Sequence, residues 1–214
     1  MIDRTLFVGH IGVDEAGRGC LAGPVVAAAV LFSPKFSFAE ILPKLDDSKK
    51  LSAKTRKNIV PAIRQHCLYW RIGLSWPKEI DAVNILNATF RAMSRAVSCL
   101  PFPMPPPPLV IDGNHIIRKE AWQAVTKMPL PEQTAIIDGD ALVPCIAAAS
   151  VLAKTFRDKL MEKLDARYPG YGFAAHKGYG TAAHRKALRA LGASSMHRKT
   201  FGGVREEQEQ LSLF

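Results

Sequence analysis

Adjacent acids at Asp14 and Glu15, followed by Ala16-Gly17-Arg18-Gly19, set two carboxylates against a turn built on glycine. The run before them, Val8 to Val13, is short and apolar and predicts a buried strand. Side chains alternate along a strand, so Asp14 and Glu15 face opposite ways while the chain stays extended. Glycine lets backbone N–H groups approach another molecule, and Arg18, between two glycines, is held out where a phosphate could meet it. Taken alone, the stretch serves equally as an acidic strand end with an ordinary turn. Two further units repeat the pattern: Leu109 to Ile111 runs into Asp112-Gly113-Asn114, and Ala135 to Ile137 runs into Asp138-Gly139-Asp140. Asp14, Glu15, Asp112 and Asp140, brought together without basic partners, would repel one another and some would have raised pKa values. Mg²⁺ or Mn²⁺ removes that conflict, because hard divalent cations prefer oxygen ligands. In two-metal sites the ions lie roughly 3.5–4 Å apart, one activating water and the other stabilising a leaving oxygen. A basic protein with such a site would cut a phosphodiester.

The elements that must carry these acids alternate between strand and helix. Pro24 to Phe32 reads as a second strand, almost wholly apolar and therefore central. Leu45 to Leu51 is loop-like, Ser52 caps a helix to about Gln65, and Leu68 to Ser75 is a third strand, giving hairpins or a meander. Pro77 to about Leu100 is helical with a break near Asn84, and Phe102 to Pro108 is a stiff polyproline connector. Pro144 opens a long helix to about Arg167, on which Ser150, Lys154 and Asp158 form one polar stripe. A solvated face with a Lys–Asp pair explains that stripe as well as function does. Tyr168 to Thr181 mixes glycine, tyrosine, His176 and Lys177, as nucleic-acid surfaces do, and a last helix spans Ala182 to Leu191. His197, Arg198 and Lys199 read as a basic patch. The fold class is α/β.

With 214 residues the chain can bury a substantial core, and 48% hydrophobic with 22% charged residues is ordinary for a globular protein. The net charge of +10 is not ordinary and points to a polyanionic partner, nucleic acid first and an anionic membrane second. Four cysteines without a CxxC pair give neither a zinc framework nor a disulfide one, so a reducing cytoplasm fits best. No signal peptide, membrane span or clean basic amphipathic helix stands out. Nothing demands more than a monomer.

Val13-Asp14-Glu15-Ala16-Gly17-Arg18-Gly19, Asp47-Ser48-Lys49, Asp112-Gly113, Gly139-Asp140, Ala148-Ala149-Ser150 with Ala153-Lys154, Arg157-Asp158, and His176-Lys177-Gly178-Tyr179 with Thr181 resemble ribonuclease HII in order and spacing. The resemblance covers residues 9 to 204. It implies an RNase H-like mixed central sheet flanked by helices, and cutting of RNA in RNA–DNA hybrids and 5′ to single ribonucleotides in duplex DNA. It makes Asp14, Glu15, Asp112 and Asp140 the catalytic carboxylates, holding two Mn²⁺ or Mg²⁺ ions in the reactive complex. It assigns the backbone of Gly17, Arg18 and Gly19 to the ribose 2′-OH, which alone separates ribose from deoxyribose. Tyr179 would stack at the ribonucleotide–deoxyribonucleotide junction, Ser48 and Lys49 would hold a DNA phosphate, and Asp158 with Lys154 would support the site. One departure stands out: the usual lysine two residues before Asp140 is Asp138 here, so either acid could be the ligand, with spacing favouring Asp140. Residues 1–204 would form the catalytic domain and 205–214 a flexible tail. Gln210-Leu211-Ser212-Leu213-Phe214 resembles the bacterial sliding-clamp binding peptide, with Gln210, Leu211, Leu213 and Phe214 as anchors, although packing on its own domain is the rival. A catalytically silent binding module and a ribonuclease HIII, which usually has an extra N-terminal domain, are the alternatives.

Overall fold

A computed structural model describes residues 7–42, 45, 51–101 and 105–204. Five strands form one mixed sheet in the order β3-β2-β1-β4-β5. Strands β1 (Ile11–Ala16), β2 (Val25–Leu31) and β3 (Tyr69–Ser75) pair antiparallel as the predicted meander. Strands β4 (Leu109–Asp112) and β5 (Gln133–Ile136) add in parallel on the other side of β1. β2 is buried along its whole length, as its unbroken apolar run requires of an inner strand.

Between β2 and β3 come α1 (Phe38–Ile41) and α2 (Ala53–His66), and the Ser52 hydroxyl caps α2 by accepting from the Thr55 N–H. Helices α3 (Pro77–Val83) and α4 (Ile85–Ser98) are divided at Asn84, whose φ of 65° breaks the helix and whose side chain caps α4 through the Asn87 N–H. Short helices α5 (Lys119–Gln123) and α6 (Gly139–Leu142) flank β5. The long α7 (Pro144–Arg167), the short α8 (Phe173–His176) and α9 (Ala182–Leu191) complete the chain. The predicted connector is described from residue 105 and ends at β4.

The sheet separates two cores. On one face Ile11, Val13, Ala27, Leu109 and Ile111 pack against Phe90, Met93 and Val97 of α4. On the other, Ala28, Val30 and Val110 pack against Ile146 to Ala153 of α7. Helix α7 lies close on β1 because Gly12 carries no side chain: a Cβ there would lie 2.2 Å from the Cys145 carbonyl carbon. Among the described residues no helix is long and apolar enough to cross a membrane.

Candidate active site

Strand register decides which acids meet. β1 and β4 run parallel with Val13 opposite Ile111, and both side chains are buried on the α4 face. The next residue on each strand therefore turns to the α7 face, and those residues are Asp14 and Asp112. Asp140 arrives on α6, where its N–H donates to Asp112 Oδ1 at 3.1 Å. One carboxylate oxygen from each of Asp14, Asp112 and Asp140 lies within 4.8 Å of the others. Asp14 and Asp140 are almost fully buried, at 4% and 2% exposure.

Glu15 takes the opposite face of β1, as alternation demands, yet borders the same cleft. Its Oε1 lies 3.3 Å from Nη1 of Arg18, so the arginine meets an acid here while its side chain stays half-exposed. Burial, Glu15 and Asp112 together hold the Asp14 carboxyl well above its ordinary range, against hydrogen bonds from Ser150 and the Glu15 N–H. A carboxylate held in its unfavoured state beside two more, with an all-oxygen donor set, fits a hard divalent cation. Asp138, by contrast, is exposed in a left-handed conformation with φ 55° and lies outside the cluster. The geometry brings Asp140, not Asp138, to the other acids.

A cleft of about 310 Å³ opens over Asp14, Glu15 and Asp112, and Arg56, Lys154 and Tyr179 also line it. The polar stripe of α7 faces this cleft. Ser150 bonds Asp14, Lys154 donates to Asp158 at 2.9 Å, and Arg56 sits 3.5 Å from the same Asp158. Asp158 thus pins two cations along the wall without touching the acid cluster. The Lys154 ammonium lies 5.5 Å from the ring centre of Tyr179, a residue that is 43% exposed. Tyr171 of the same loop is buried, stacked on Phe173 at 5.4 Å, so Tyr179 is the tyrosine offered to a ligand here.

Two fully buried guanidiniums shape the glycine turn. Arg198 donates to the carbonyls of Gly17 (2.7 Å), Arg18 (2.7 Å) and Gly23 (3.0 Å). Arg157 donates to those of Ala22 (3.0 Å), Pro24 (3.0 Å) and Lys177 (2.8 Å). With those carbonyls drawn inward, the turn's path is fixed from beneath. Gly17 has φ 93°, and a Cβ there would lie 2.0 Å from Arg157 Nε, so glycine is required twice over. The sequence places Arg198 in a surface patch with His197 and Lys199. That reading is corrected: His197 and Arg198 are buried and only Lys199 is exposed. The sequence reading gave Arg56 no role and missed the buried roles of Arg157 and Arg198, because no local pattern marks a cation whose partners lie elsewhere in the chain. Ser48, Lys49, Gln210, Leu211, Leu213 and Phe214 lie outside the described residues.

Carboxylates gathered at the ends of neighbouring strands of this mixed sheet, under an open cleft, match the arrangement of nucleases of the RNase H-like class. The chain belongs to the ribonuclease HII family: the family's sequence model, described as Ribonuclease HII, matches residues 11–204. It is thereby a type 2 ribonuclease H, an endoribonuclease acting on RNA–DNA hybrids. A ribonuclease HII of Nitratidesulfovibrio vulgaris is 53% identical over 207 residues, covering 95% of this chain and 91% of the relative. The ribonuclease H2 of Pyrococcus horikoshii superposes with a TM-score of 0.74 at 26% identity, covering 94% of this chain and 98% of that one. A chain of the PCNA:RNase HII complex from Archaeoglobus fulgidus gives 0.68 at 25% identity, covering 90% and 94%.

Proposed function

We propose that this nuclease cuts RNA in hybrids and also nicks duplex DNA 5′ to a single embedded ribonucleotide, leaving a 3′-hydroxyl and a 5′-phosphate. The observation that carries the reading is the cluster of the Asp14, Asp112 and Asp140 carboxylates, two of which line one cleft with Gly17 at the start of the glycine turn. Asp14, Glu15, Asp112 and Asp140 would hold Mg²⁺ or Mn²⁺, with Asp112 placed between the other two elements by its bond from the Asp140 N–H. Two such ions, when bound, supply an activated water and neutralise charge on the leaving oxygen. The chain's own groups do the rest. Backbone atoms of Gly17, Arg18 and Gly19, in a turn whose first two carbonyls Arg198 holds from beneath, contact the 2′-OH without reading the base. Tyr179 stacks on the sugar–base step at the junction, where an aromatic face accepts any base. Lys154 and Arg56, pinned by Asp158, meet the phosphates entering the cleft, as Ser48 and Lys49 do on the DNA strand.

The test is a duplex with one embedded ribonucleotide, incubated with Mg²⁺ and separately with Mn²⁺. A single nick 5′ to the ribonucleotide is expected, and Asp112→Asn should abolish it. No nick with either metal would favour a silent binding module. Cutting confined to ribonucleotide runs would favour a ribonuclease HIII-like preference.

Residues 1–204 act as the catalytic unit of a monomeric cytoplasmic enzyme, and 205–214 as a leash. Gln210, Leu211, Leu213 and Phe214 dock into the groove of the bacterial sliding clamp, an anchor mode that needs only a short apolar terminus. The relative from Archaeoglobus fulgidus, solved with PCNA, supports a clamp partnership for this family. Surface-bound clamp should retain the full chain and release a chain lacking residues 210–214, with nicking of free duplex unchanged. Equal retention of both forms would remove the tail from the assignment.

A further inference from the structure

Behind the exposed ring of Tyr179 lies a group of three histidines that the reaction does not use. His184 and His197 are fully buried, and their Nε2 atoms are 3.1 Å apart. His176 stacks on His184 with ring centres 4.3 Å apart and planes 15° from parallel. Phe173 and Tyr171 close the group from the interior, with Phe173 packed against His184 and His197 and Tyr171 against His197.

The backbone fixes the proton on each ring. The Ser194 N–H, which can only donate, points at His197 Nδ1 from 3.0 Å, so that nitrogen accepts. Neutral His197 therefore carries its proton on Nε2 and donates it to His184 Nε2. His184 in turn carries its proton on Nδ1, which donates to the Tyr179 carbonyl at 2.9 Å. His176 follows the same logic: its Nδ1 accepts from the Gly178 N–H at 3.2 Å and its Nε2 donates to the Tyr171 carbonyl at 2.7 Å. A one-way chain thus runs from Ser194 through His197 and His184 to the main chain of Tyr179. It also reaches the glycine turn, since His197 bridges Ala22, and its neighbours Met196 and Arg198 bond Gly23 and Leu21.

We propose that His184 and His197 are positioning residues: their directed hydrogen-bond chain sets the Tyr179 backbone, and so the height of its ring, relative to the glycine turn. The proposal rests on the reading of Tyr179 as the residue that stacks at the junction. Burial, then the neighbouring histidine, pushes the His197 imidazole down to about 4, and burial lowers His184, so both rings stay neutral as the chain requires. A second proton on either ring would set two N–H groups face to face.

Isosteres separate this role from plain packing. In His184→Asn the amide nitrogen occupies the Nδ1 level and still donates to the Tyr179 carbonyl, whereas His184→Gln reaches the far level and does not. On the duplex with one embedded ribonucleotide, with Mg²⁺ at saturation, His184→Gln should raise KM about tenfold, the size of one lost buried hydrogen bond, with kcat nearly unchanged. His184→Asn, which keeps the bond to Tyr179 but loses the one from His197, should show a clearly smaller rise in KM than His184→Gln. In a Tyr179→Ala background the His184→Gln penalty should vanish, because the positioned ring is gone. Imidazole ¹⁵N spectra of the parent should show neutral His184 protonated on Nδ1 and His197 on Nε2. A His184→Gln penalty that persists undiminished in Tyr179→Ala, no penalty at all, or the opposite tautomers would overturn the relay. A Tyr179→Ala protein that cuts like the parent would instead overturn the stacking role, in a different variant and without touching the tautomer result.

Discussion

The Asp14→Asn protein is expected to be inactive and, without metal, to melt at a higher temperature than its parent. Activity should fall by about 10³-fold or more, close to 4 kcal/mol of barrier, because the cluster loses a charged oxygen ligand. The stability change has the opposite sign. Burial first, then Glu15 and Asp112, hold the Asp14 carboxyl well above the ordinary carboxylate range. A carboxyl whose folded pKa is raised contributes stability below its unfolded pKa and loses it as pH rises through the folded value. Above the unfolded pKa, an aspartic acid at position 14 therefore burdens the metal-free fold, whether by ionising or by staying protonated against its preference, and a neutral asparagine lifts the burden. The gain in Tm should be absent below about pH 4 and grow as pH rises from there until the folded carboxyl ionises, and added Mg²⁺ or Mn²⁺ should stabilise the parent more than the variant. Thermal melts across pH with chelator and with metal would check this. A lower Tm for Asp14→Asn at neutral pH, with chelator present, would show that Asp14 is held by structure rather than reserved for a cation.

The second large effect is expected at Arg198, buried beneath the glycine turn. Arg198→Leu would orphan the carbonyls of Gly17, Arg18 and Gly23, all of which the guanidinium now satisfies. Each buried acceptor left without a donor costs about 1–3 kcal/mol, so a loss on the order of 3 kcal/mol or more follows. For a protein of this size that lowers Tm by about 6–12 °C. Arg198→Lys should recover little, since a single ammonium cannot span three carbonyls that a planar fork reaches together. Cutting of hybrids should fall in both variants, because the turn beside the acids loses its underside. Melting and cleavage measured on the same preparations would test the link. Full activity in a variant that has lost the stability would break it.

What could be read in advance depended on how local the signal was. The bounds of α7 and α9 were legible because Pro144 and the capping Thr181 mark their starts and the apolar pattern carries them to Arg167 and Leu191. The break at Asn84 was likewise written in one residue. That Asp14 and Asp112 share a face was not legible, because it depends on the parallel pairing of β1 with β4, strands nearly a hundred residues apart. The polar stripe of α7 was visible, but its direction toward the cleft came from the packing of Ala147 to Ala153 on the sheet. His197 and Arg198 misled for a related reason. Charge suggests solvent, and only tertiary structure reveals that the Arg198 guanidinium has found three main-chain oxygens instead.

Those interior cations bear on how tightly the molecule grips a polyanion. Binding to a duplex draws much of its free energy from releasing condensed counterions, one set for each phosphate that a protein cation neutralises. Arg157 and Arg198 are sealed beneath the glycine turn and displace no ions from the helix. The formal charge of +10 therefore overstates the electrostatic grip. The slope of log affinity against log salt will count side chains such as Lys154, Arg56 and Lys199, and neither of the two arginines within.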